Sequence, residues 1–142
     1  MAGYSGTPLI KKLGIKEGYR IAFANAPGDY EQTLGKLPSD VIHAHIVGSS
    51  KADLDFVQLF VKNQPELKSR FLEAKERLKM DGSLWVSWPK KASGIATDLN
   101  ENVIRDFGLA AGLVDVKVCA VDDVWSGLKF VYRLKDRPKA RN

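Results

Sequence analysis

Few residues of this 142-residue sequence have the types and spacing that catalytic chemistry needs. His43 and His45 lie two positions apart, so on a strand both imidazoles would point to one face. Such a pair holds zinc only with a third and a fourth ligand. The single cysteine, Cys119, falls in a distant apolar run, and no carboxylate spacing completes a site. We therefore expect no metal site and expect the two histidines to be partly solvated.

The candidate nucleophiles are equally poor. Cys119 lies between Val118 and Ala120 in a predicted strand, which favours a buried and inert thiol. Ser87 is flanked by two tryptophans and has no base next to it in sequence. The chain contains no Gly-x-Ser-x-Gly turn and no Cys-x-x-Cys pair, so hydrolase and dithiol chemistry find no support.

A better candidate site comes from three segments that follow predicted strands, at 25–30, 88–93 and 122–126. Ligands of open α/β sheets bind outside the carboxyl ends of the strands, where we expect these segments to meet. The candidate ligand-binding residues are Asn25, Pro27, Gly28, Asp29, Trp88, Lys90, Lys91, Ser93, Asp122, Asp123 and Trp125. The alternative is structural: the two lysines form ion pairs with Asp122 and Asp123, and the two tryptophans cover the end of the sheet.

The loop 89–97 is rich in small residues and lysine, and it leads into a predicted helix N-terminus, which suits an anion. Against this, Asp98 at the N-cap would use the free N–H groups and add negative charge. The spacing also differs from that of a Walker A loop.

The elements that position these residues alternate between strand and helix. Strands are predicted over 20–24, 41–47, 54–61, 83–88, 114–121 and 128–134, with a turn at Asp81-Gly82 before the fourth. Helices are predicted from Thr7 as N-cap to Gly14, over 30–35, over 65–79, and from Asp98 with Glu101 in a capping box to Gly108 or Gly112. This order predicts an α/β fold: a mostly parallel sheet of about six strands with a C-terminal antiparallel hairpin and helices on both faces.

Composition and charge indicate one globular domain over residues 1–142. Hydrophobic residues make up 44% and charged residues 27%, and no apolar run is long enough to cross a membrane. The net charge is +5, but the basic tail 133–142 carries five basic residues and one acidic residue, which leaves +1 elsewhere. A solvated terminus explains this better than nucleic-acid binding. A lone cysteine and the lack of a secretory pattern favour the cytoplasm.

The order of elements resembles the Rossmann-like fold of S-adenosylmethionine-dependent methyltransferases. A closer likeness is to a family of small bacterial proteins of unknown function, whose recognisable stretches here are YSGTPL (4–9), WVSWPKK (85–91) and VCAVDDVWSGLK (118–129). Neither likeness implies an activity on its own.

The cofactor positions that the methyltransferase resemblance implies are altered. Those enzymes place an acidic residue and a Gly-x-Gly turn after the first strand, whereas this chain reads NAPGD at 25–29. The second strand should end in an acid for the ribose hydroxyls, but 46–50 read IVGSS. We expect no bound cofactor and a module that binds a small molecule or a protein. The alternative is an S-adenosylmethionine-dependent methyltransferase with an atypical cofactor loop.

The predicted strand 41–47 should lie at a sheet edge, because residues 48–53 are too few for a further strand and its crossover. Exposed edges carry unpaired backbone groups, and this strand contains no lysine or proline to protect it. We therefore expect a homodimer through this edge, or a covering segment such as the arm 2–6.

Overall fold

The computed structural model describes residues 8–137, which form a six-stranded sheet with helices on both faces. The strands are β1 (Arg20–Ala24), β2 (Ile42–His43), β3 (Leu54–Phe60), β4 (Leu78–Pro89), β5 (Leu113–Ala120) and β6 (Trp125–Tyr132). The helices are α1 (Leu9–Leu13), α2 (Tyr30–Leu34), α3 (Gln64–Arg77) and α4 (Glu101–Ala110), with 3-10 turns at Lys91–Ser93 and Leu134–Asp136. Within residues 8–137, every helix is too short or too polar to cross a lipid bilayer.

The sheet has the strand order β2-β1-β3-β4-β6-β5. Strands β2, β1, β3 and β4 pair in parallel, and β6 is inserted antiparallel between β4 and β5. Strand β5 therefore runs in the same direction as β4, and the carboxyl ends of β1, β3, β4 and β5 lie along one edge. This confirms the predicted α/β fold with its mostly parallel sheet and antiparallel C-terminal pair.

Two hydrophobic clusters cover the two faces of the sheet. On one face, α3 and α4 bury Leu67, Phe71 and Ile104, and we call it the α3–α4 face. On the other face, α1 and α2 bury Leu13 and Leu34, and we call it the α1–α2 face. Central strand β3 is buried almost throughout because both of its faces are covered, which explains its nearly continuous apolar sequence.

Helix α4 lies unusually close to β6 because of one glycine. A Cβ atom on Gly108 would come within 2.1 Å of Cε1 of Phe130. Gly108 therefore lies inside the helix and permits this approach, and the helix ends before Gly112, which has a φ of +97°. The prediction that one of these two glycines ends the helix holds for Gly112 alone.

The predicted strand 41–47 is mostly irregular, which corrects the sequence-based expectation. Only Ile42–His43 pair with β1. Ile46 is buried as expected, but Ile42 is 48% exposed, and both His43 and His45 are exposed. Residues 2–6 lie outside the described residues, so protection of this edge by that arm or by a second copy stays a prediction.

The buried guanidinium of Arg77 explains why this segment leaves the strand conformation. Its Nη1 donates hydrogen bonds to the carbonyls of His45 and Ile46, and its Nε donates to the carbonyl of Lys51 at 2.7 Å. Its Nη2 donates to Oδ1 of Asp53 at 2.7 Å. These carbonyls are satisfied by a side chain instead of a neighbouring strand, so the chain folds around Arg77.

Strand β4 begins five residues earlier than predicted, and Asp81-Gly82 is part of it. A Cβ atom on Gly82 would lie 3.0 Å from the carbonyl oxygen of Leu54. The glycine thus allows close backbone approach at the irregular register between β3 and β4. The same residue type that signals a turn serves here as a spacer inside a strand.

The helix caps also differ from prediction. Asn100, not Asp98, caps α4, because its Oδ1 accepts the backbone N–H of Val103 at 2.9 Å. The carboxylate of Asp98 instead accepts the N–H of Gln64, which joins this loop to the start of α3. At α1 the N-cap residue is Pro8, and Thr7 lies outside the described residues.

Candidate functional site

The loops that follow β1 and β3 meet the β5–β6 turn at the carboxyl edge of the sheet. They enclose a cavity of about 370 Å³, which we call the carboxyl-edge cavity. Its lining residues are Asn25, Pro27, Phe60, Lys62, Glu66 and Trp125. Three of the predicted site residues, Asn25, Pro27 and Trp125, are therefore brought together here.

The loop after β1 turns sharply at Asn25, whose φ of +60° lies in the left-handed region. Asparagine tolerates that conformation better than most residues that carry a side chain. Two residues later, the carbonyl of Pro27 accepts the N–H of Tyr30 at 3.0 Å and so starts α2. The turn thus presents an amide side chain in the segment where the resemblance to methyltransferases implies an acidic residue and a Gly-x-Gly turn.

Phe60 and Trp125 form the apolar floor of the carboxyl-edge cavity, and they belong to a row of four aromatic side chains. Edge-to-face contacts join Phe23 to Tyr30, Tyr30 to Phe60, and Phe60 to Trp125, with ring centroids 5.6, 4.8 and 5.1 Å apart. Tyr30, Phe60 and Trp125 are each less than a tenth exposed. A rigid apolar floor of this kind suits a flat or aliphatic part of a ligand.

A buried polar chain begins at Tyr30, whose ring contacts Phe60 of this floor. The hydroxyl of Tyr30 donates to Oε1 of Gln58 at 2.6 Å, and Nε2 of Gln58 donates to Oγ of Ser87 at 3.0 Å. Burial raises the pKa of Tyr30 well above its usual range. Gln58 and Ser87 are fully buried, and Ser87 accepts the hydrogen bond that continues the chain, which is a structural role.

Charged residues stand at the rim of the cavity, at the start of α3. The carboxylate of Glu66 accepts the N–H of Lys62 at 2.8 Å, while the N–H of Glu66 donates to the N-cap side chain of Asn63. The carbonyl of Lys62 also accepts the hydroxyl of Thr97. These bonds fix the backbone at the rim and leave an ammonium and a carboxylate group beside an apolar floor.

The two tryptophans of the predicted rim lie on opposite faces of the sheet. Trp88 pairs with Ser126 across β4 and β6, whereas Pro89 pairs with Trp125. Trp88 belongs to the core of the α3–α4 face and Trp125 to that of the α1–α2 face. The two tryptophans therefore share the carboxyl edge of the sheet but do not face each other across one site, because side chains alternate along a strand.

The loop after β4 does meet the β5–β6 turn, as predicted from the parallel sheet. The N–H of Lys90 donates to the carbonyl of Val124 at 2.7 Å. Asp122 is engaged within its own turn, where Oδ1 accepts the N–H groups of Val124 and Trp125 at 2.8 Å each. Ser93 is likewise engaged locally, donating to the carbonyl of Lys90 at 2.7 Å.

The remaining predicted residues do not line the carboxyl-edge cavity. Gly28 lines a neighbouring cavity of about 200 Å³ next to Tyr30, and Asp29 is exposed at the N-cap of α2. Lys91 and Asp123 are exposed. In the part of the chain that the structure describes, no ion pair joins Lys90 or Lys91 to the aspartates of the β5–β6 turn. The alternative of a rim closed by such pairs therefore finds no support.

Phe60, Lys62 and Glu66 line the cavity but were missed by the sequence reasoning. Lys62 directly follows a buried strand, which is the signal that could have found it. The polar chain had a comparable signal, since Gln58 and Ser87 interrupt otherwise apolar strands.

The two histidines and the cysteine are the metal and thiol candidates of the sequence. Between residues 8 and 137, no three His, Cys, Asp or Glu side chains are grouped closely enough to hold a metal ion. Cys119 is partly buried against the core of the α1–α2 face, and this burial raises the pKa of its thiol. A protonated, half-buried thiol is a poor nucleophile.

Comparison with solved structures identifies the fold. Over 98% of both chains, the protein is similar to a protein from Sulfolobus solfataricus assigned to the type 11 methyltransferases, with 16% identity and a TM-score of 0.62. A SAM-dependent methyltransferase from Aquifex aeolicus gives 14% identity and a TM-score of 0.57 over 86% of both chains. A TehB-like SAM-dependent methyltransferase from Corynebacterium glutamicum gives 10% and 0.55 over 88% of this chain and 85% of that one. These likenesses show a methyltransferase-like α/β fold.

The sequence comparison gives the family. No curated protein matches the chain in sequence. Residues 10–134 match the model of a family described as a protein of unknown function, DUF3052. This span covers all six strands and nearly all of the helical residues. The chain therefore belongs to the DUF3052 family of proteins of unknown function.

Proposed function

We propose that this protein binds a small organic molecule in the carboxyl-edge cavity, on a methyltransferase-like scaffold that does not hold S-adenosylmethionine in the conventional way. The observation that carries the proposal is the cavity itself, with an aromatic floor and a charged rim where β1 and β3 end. Open α/β sheets bind their ligands at this place. The sequence predicts a module that binds a small molecule or a protein, and we propose the first of these.

Two features argue against conventional cofactor binding. The turn after β1 carries Asn25 and Pro27 where backbone would have to approach the cofactor without side chains. Strand β2 is only two residues long and is followed by Ala44 through Gly48, which include no carboxylate for ribose hydroxyls. A ligand of this cavity would therefore be held by other contacts than those of the usual cofactor.

The lining indicates the chemistry of the ligand. The edges of Phe60 and Trp125 offer an apolar floor, while Lys62, Glu66 and Asn25 offer an ammonium, a carboxylate and an amide. A compound with a compact apolar part and both an acidic and a basic group would match this arrangement. We therefore expect zwitterionic metabolites to bind better than neutral ones.

The second candidate function is an S-adenosylmethionine-dependent methyltransferase with an atypical cofactor loop. Its support is the likeness in fold to proteins described as SAM-dependent methyltransferases, together with a cavity at the ligand-binding edge. S-adenosylmethionine also carries both an amine and a carboxylate. The choice between the two functions therefore depends on a direct binding measurement.

A thermal-shift screen of metabolites combined with calorimetric titration tests the proposal. A ligand at about a hundred times its Kd stabilises the folded state by about 2.7 kcal/mol, which a melting curve detects. We expect stabilising zwitterionic compounds whose effect is lost in Lys62→Met and kept in the control Lys36→Met, which alters an exposed lysine on another loop.

Two outcomes would contradict the proposal. Calorimetric binding of S-adenosylmethionine with a Kd of about 10 μM or lower would favour the methyltransferase instead. A stabilising effect of the ligand that is equal in the two lysine variants would show that the ligand lies outside the carboxyl-edge cavity.

A further inference from the structure

Two lysines face each other across the C-terminal strand pair. Lys117 on β5 and Lys129 on β6 occupy paired positions in the antiparallel register. Like charges directly opposite each other on a sheet are destabilising, so this arrangement needs a compensating partner.

Helix α1 and the residues after it add two further lysines. The Nζ of Lys117 donates to the carbonyl of Lys12 at 2.9 Å, which places α1 beside β5. The indole of Trp85 donates to the carbonyl of Leu13 at 3.0 Å and fixes the end of the helix on the sheet. Lys16 follows two residues after Gly14. We call Lys12, Lys16, Lys117 and Lys129 the lysine patch.

Lys129 is the central member of the lysine patch. A Cβ atom on Gly14 would lie 3.7 Å from its Nζ, so the ammonium of Lys129 lies next to the end of α1. Burial lowers the pKa of Lys129, and the charges of Lys117 and Lys16 lower it further. The lysine patch thus destabilises its own positive charges, and a bound anion would reduce the repulsion between them.

No carboxylate offsets this charge in the described part of the chain. None of the four ammonium groups forms an ion pair there. Asp115, an acidic residue of β5, is engaged by Arg105 of α4 at 2.9 Å. The sequences 1–7 and 138–142 contain no Asp or Glu.

A purely structural role explains only part of the lysine patch. Lys117 satisfies a carbonyl at the end of α1, as basic residues often do there. The opposed Lys129 receives no such explanation, because its ammonium forms no ion pair in the part of the chain that the structure describes. A structural role and a role in binding an anion therefore make opposite predictions for the stability of a Lys129 variant.

We propose that the lysine patch binds the phosphate group of a small phosphorylated molecule. Lysine ammonium groups bind phosphate as point charges, so the half-buried Lys129 and the charges of Lys117 and Lys16 that act on it would together favour a doubly charged group. Trp85, which pairs with Lys129 across β4 and β6, is fully buried, so it offers no ring on which bases of a nucleic acid could stack. This site is separate from the carboxyl-edge cavity and does not depend on its function.

Titration of the ¹⁵N-labelled protein with pyrophosphate, at constant ionic strength, tests the site. We expect the amide signals of Gly14, Lys117 and Lys129 to shift. The affinity should fall by about tenfold or more in the double variant Lys117→Gln, Lys129→Gln. The matched control is Lys36→Gln, Lys51→Gln, which removes the same charge from exposed lysines elsewhere and should change the affinity less than about twofold.

Melting of Lys129→Met at low salt gives an independent readout. Relief of the opposed charges should leave the melting temperature unchanged or raise it, and pyrophosphate should no longer add stability. A marked loss of stability would show that Lys129 is structural and would overturn the proposal. So would equal affinities in the two double variants, or a single-stranded DNA oligonucleotide that binds the patch far more tightly than pyrophosphate.

Discussion

Trp88 and Trp125, each 7% exposed, lie at the same end of the β4–β6 strand pair but on opposite faces of the sheet. Trp125 lines the carboxyl-edge cavity, and Trp88 packs in the core of the α3–α4 face. The two indoles therefore form a matched pair, equally buried, of which only one can respond to a ligand in the cavity.

The guanidinium of Arg77 and the four oxygen atoms that accept its hydrogen bonds form what we call the Arg77 clasp. Removal of this guanidinium should cause a large loss of stability. Arg77→Met would leave the carbonyls of His45, Ile46 and Lys51 and the carboxylate of Asp53 without their donor. We expect the free energy of unfolding in urea to fall by about 2 to 4 kcal/mol.

The control for this variant is Arg70→Met, which removes a half-exposed ion pair with Glu73 on the same helix. An exposed pair of this kind contributes less than about 1 kcal/mol. Similar losses in the two variants would show that the Arg77 clasp adds nothing to an ordinary surface arginine.

The close approach of α4 to β6 predicts that Gly108→Ala is strongly destabilising. The added Cβ would lie 2.1 Å from the Phe130 ring, so helix and strand must separate, at a cost of about 2 kcal/mol or more. Phe130→Leu should recover part of that loss when combined with it, a non-additivity that a double-mutant cycle in urea measures.

Gly28→Ala is the matched glycine control, since a Cβ there meets no atom within 4 Å. Its effect should stay within about 0.5 kcal/mol. Strictly additive effects of Gly108→Ala and Phe130→Leu would contradict the steric explanation.

The Arg77 clasp also shows what the sequence could and could not predict. The buried strands β1, β3 and β4 and the helix α3 were predictable because apolar runs and a helical stripe directly reflect burial. The Arg77 clasp was not, because its carbonyl partners come from residues more than twenty positions away, with no local pattern. A strand predicted over 41–47 therefore shrinks to two paired residues.

The same limit applies to the candidate site. The sequence predicted which edge of the sheet the segments share, since parallel strands end on the same side. It could not predict which side chains face each other there, because that depends on the β4–β6 register. Trp88 was therefore assigned to the site, while Phe60 and Lys62 were missed.

Burial of Tyr30 predicts a loss of stability at alkaline pH. Its pKa is raised in the folded protein, so the folded state holds the phenolic proton after an unfolded chain has released it. Ionisation of Tyr30 therefore leaves the free energy of unfolding unchanged below the unfolded pKa of about 10. As the pH rises above that value, the free energy of unfolding falls by up to about 1.4 kcal/mol per pH unit.

Tyr30→Phe should remove this part of the alkaline slope, although it also loses the hydrogen bond to Gln58 and about 1 kcal/mol at neutral pH. Urea unfolding from about pH 8 to about pH 11 measures both effects. An unchanged slope in the variant would mean that other groups cause the alkaline loss.

The exposed edge at β2 predicts self-association. Ile42 is 48% exposed and Val47 is 67% exposed, beside a strand of only two paired residues. We expect a dimer by light scattering, and a monomer in Ile42→Lys. Leu134→Lys, which changes another exposed apolar residue, should leave the dimer intact. A monomeric parent protein with fast amide exchange over residues 41–47 would argue against both a dimer and a covering segment.

The central claim, a small-molecule site at the carboxyl edge without conventional cofactor binding, is tested most directly by the indole N–H signals of Trp85, Trp88 and Trp125. Trp125→Phe and Trp88→Phe assign these signals in a ¹H–¹⁵N spectrum. Titration with the strongest zwitterionic compound from the thermal screen should shift the Trp125 indole and the Asn25 amide, and leave the Trp88 indole in place. Titration with S-adenosylmethionine to about 1 mM should shift none of them. Shifts of Trp125 and Asn25 by S-adenosylmethionine at micromolar concentration would contradict the account.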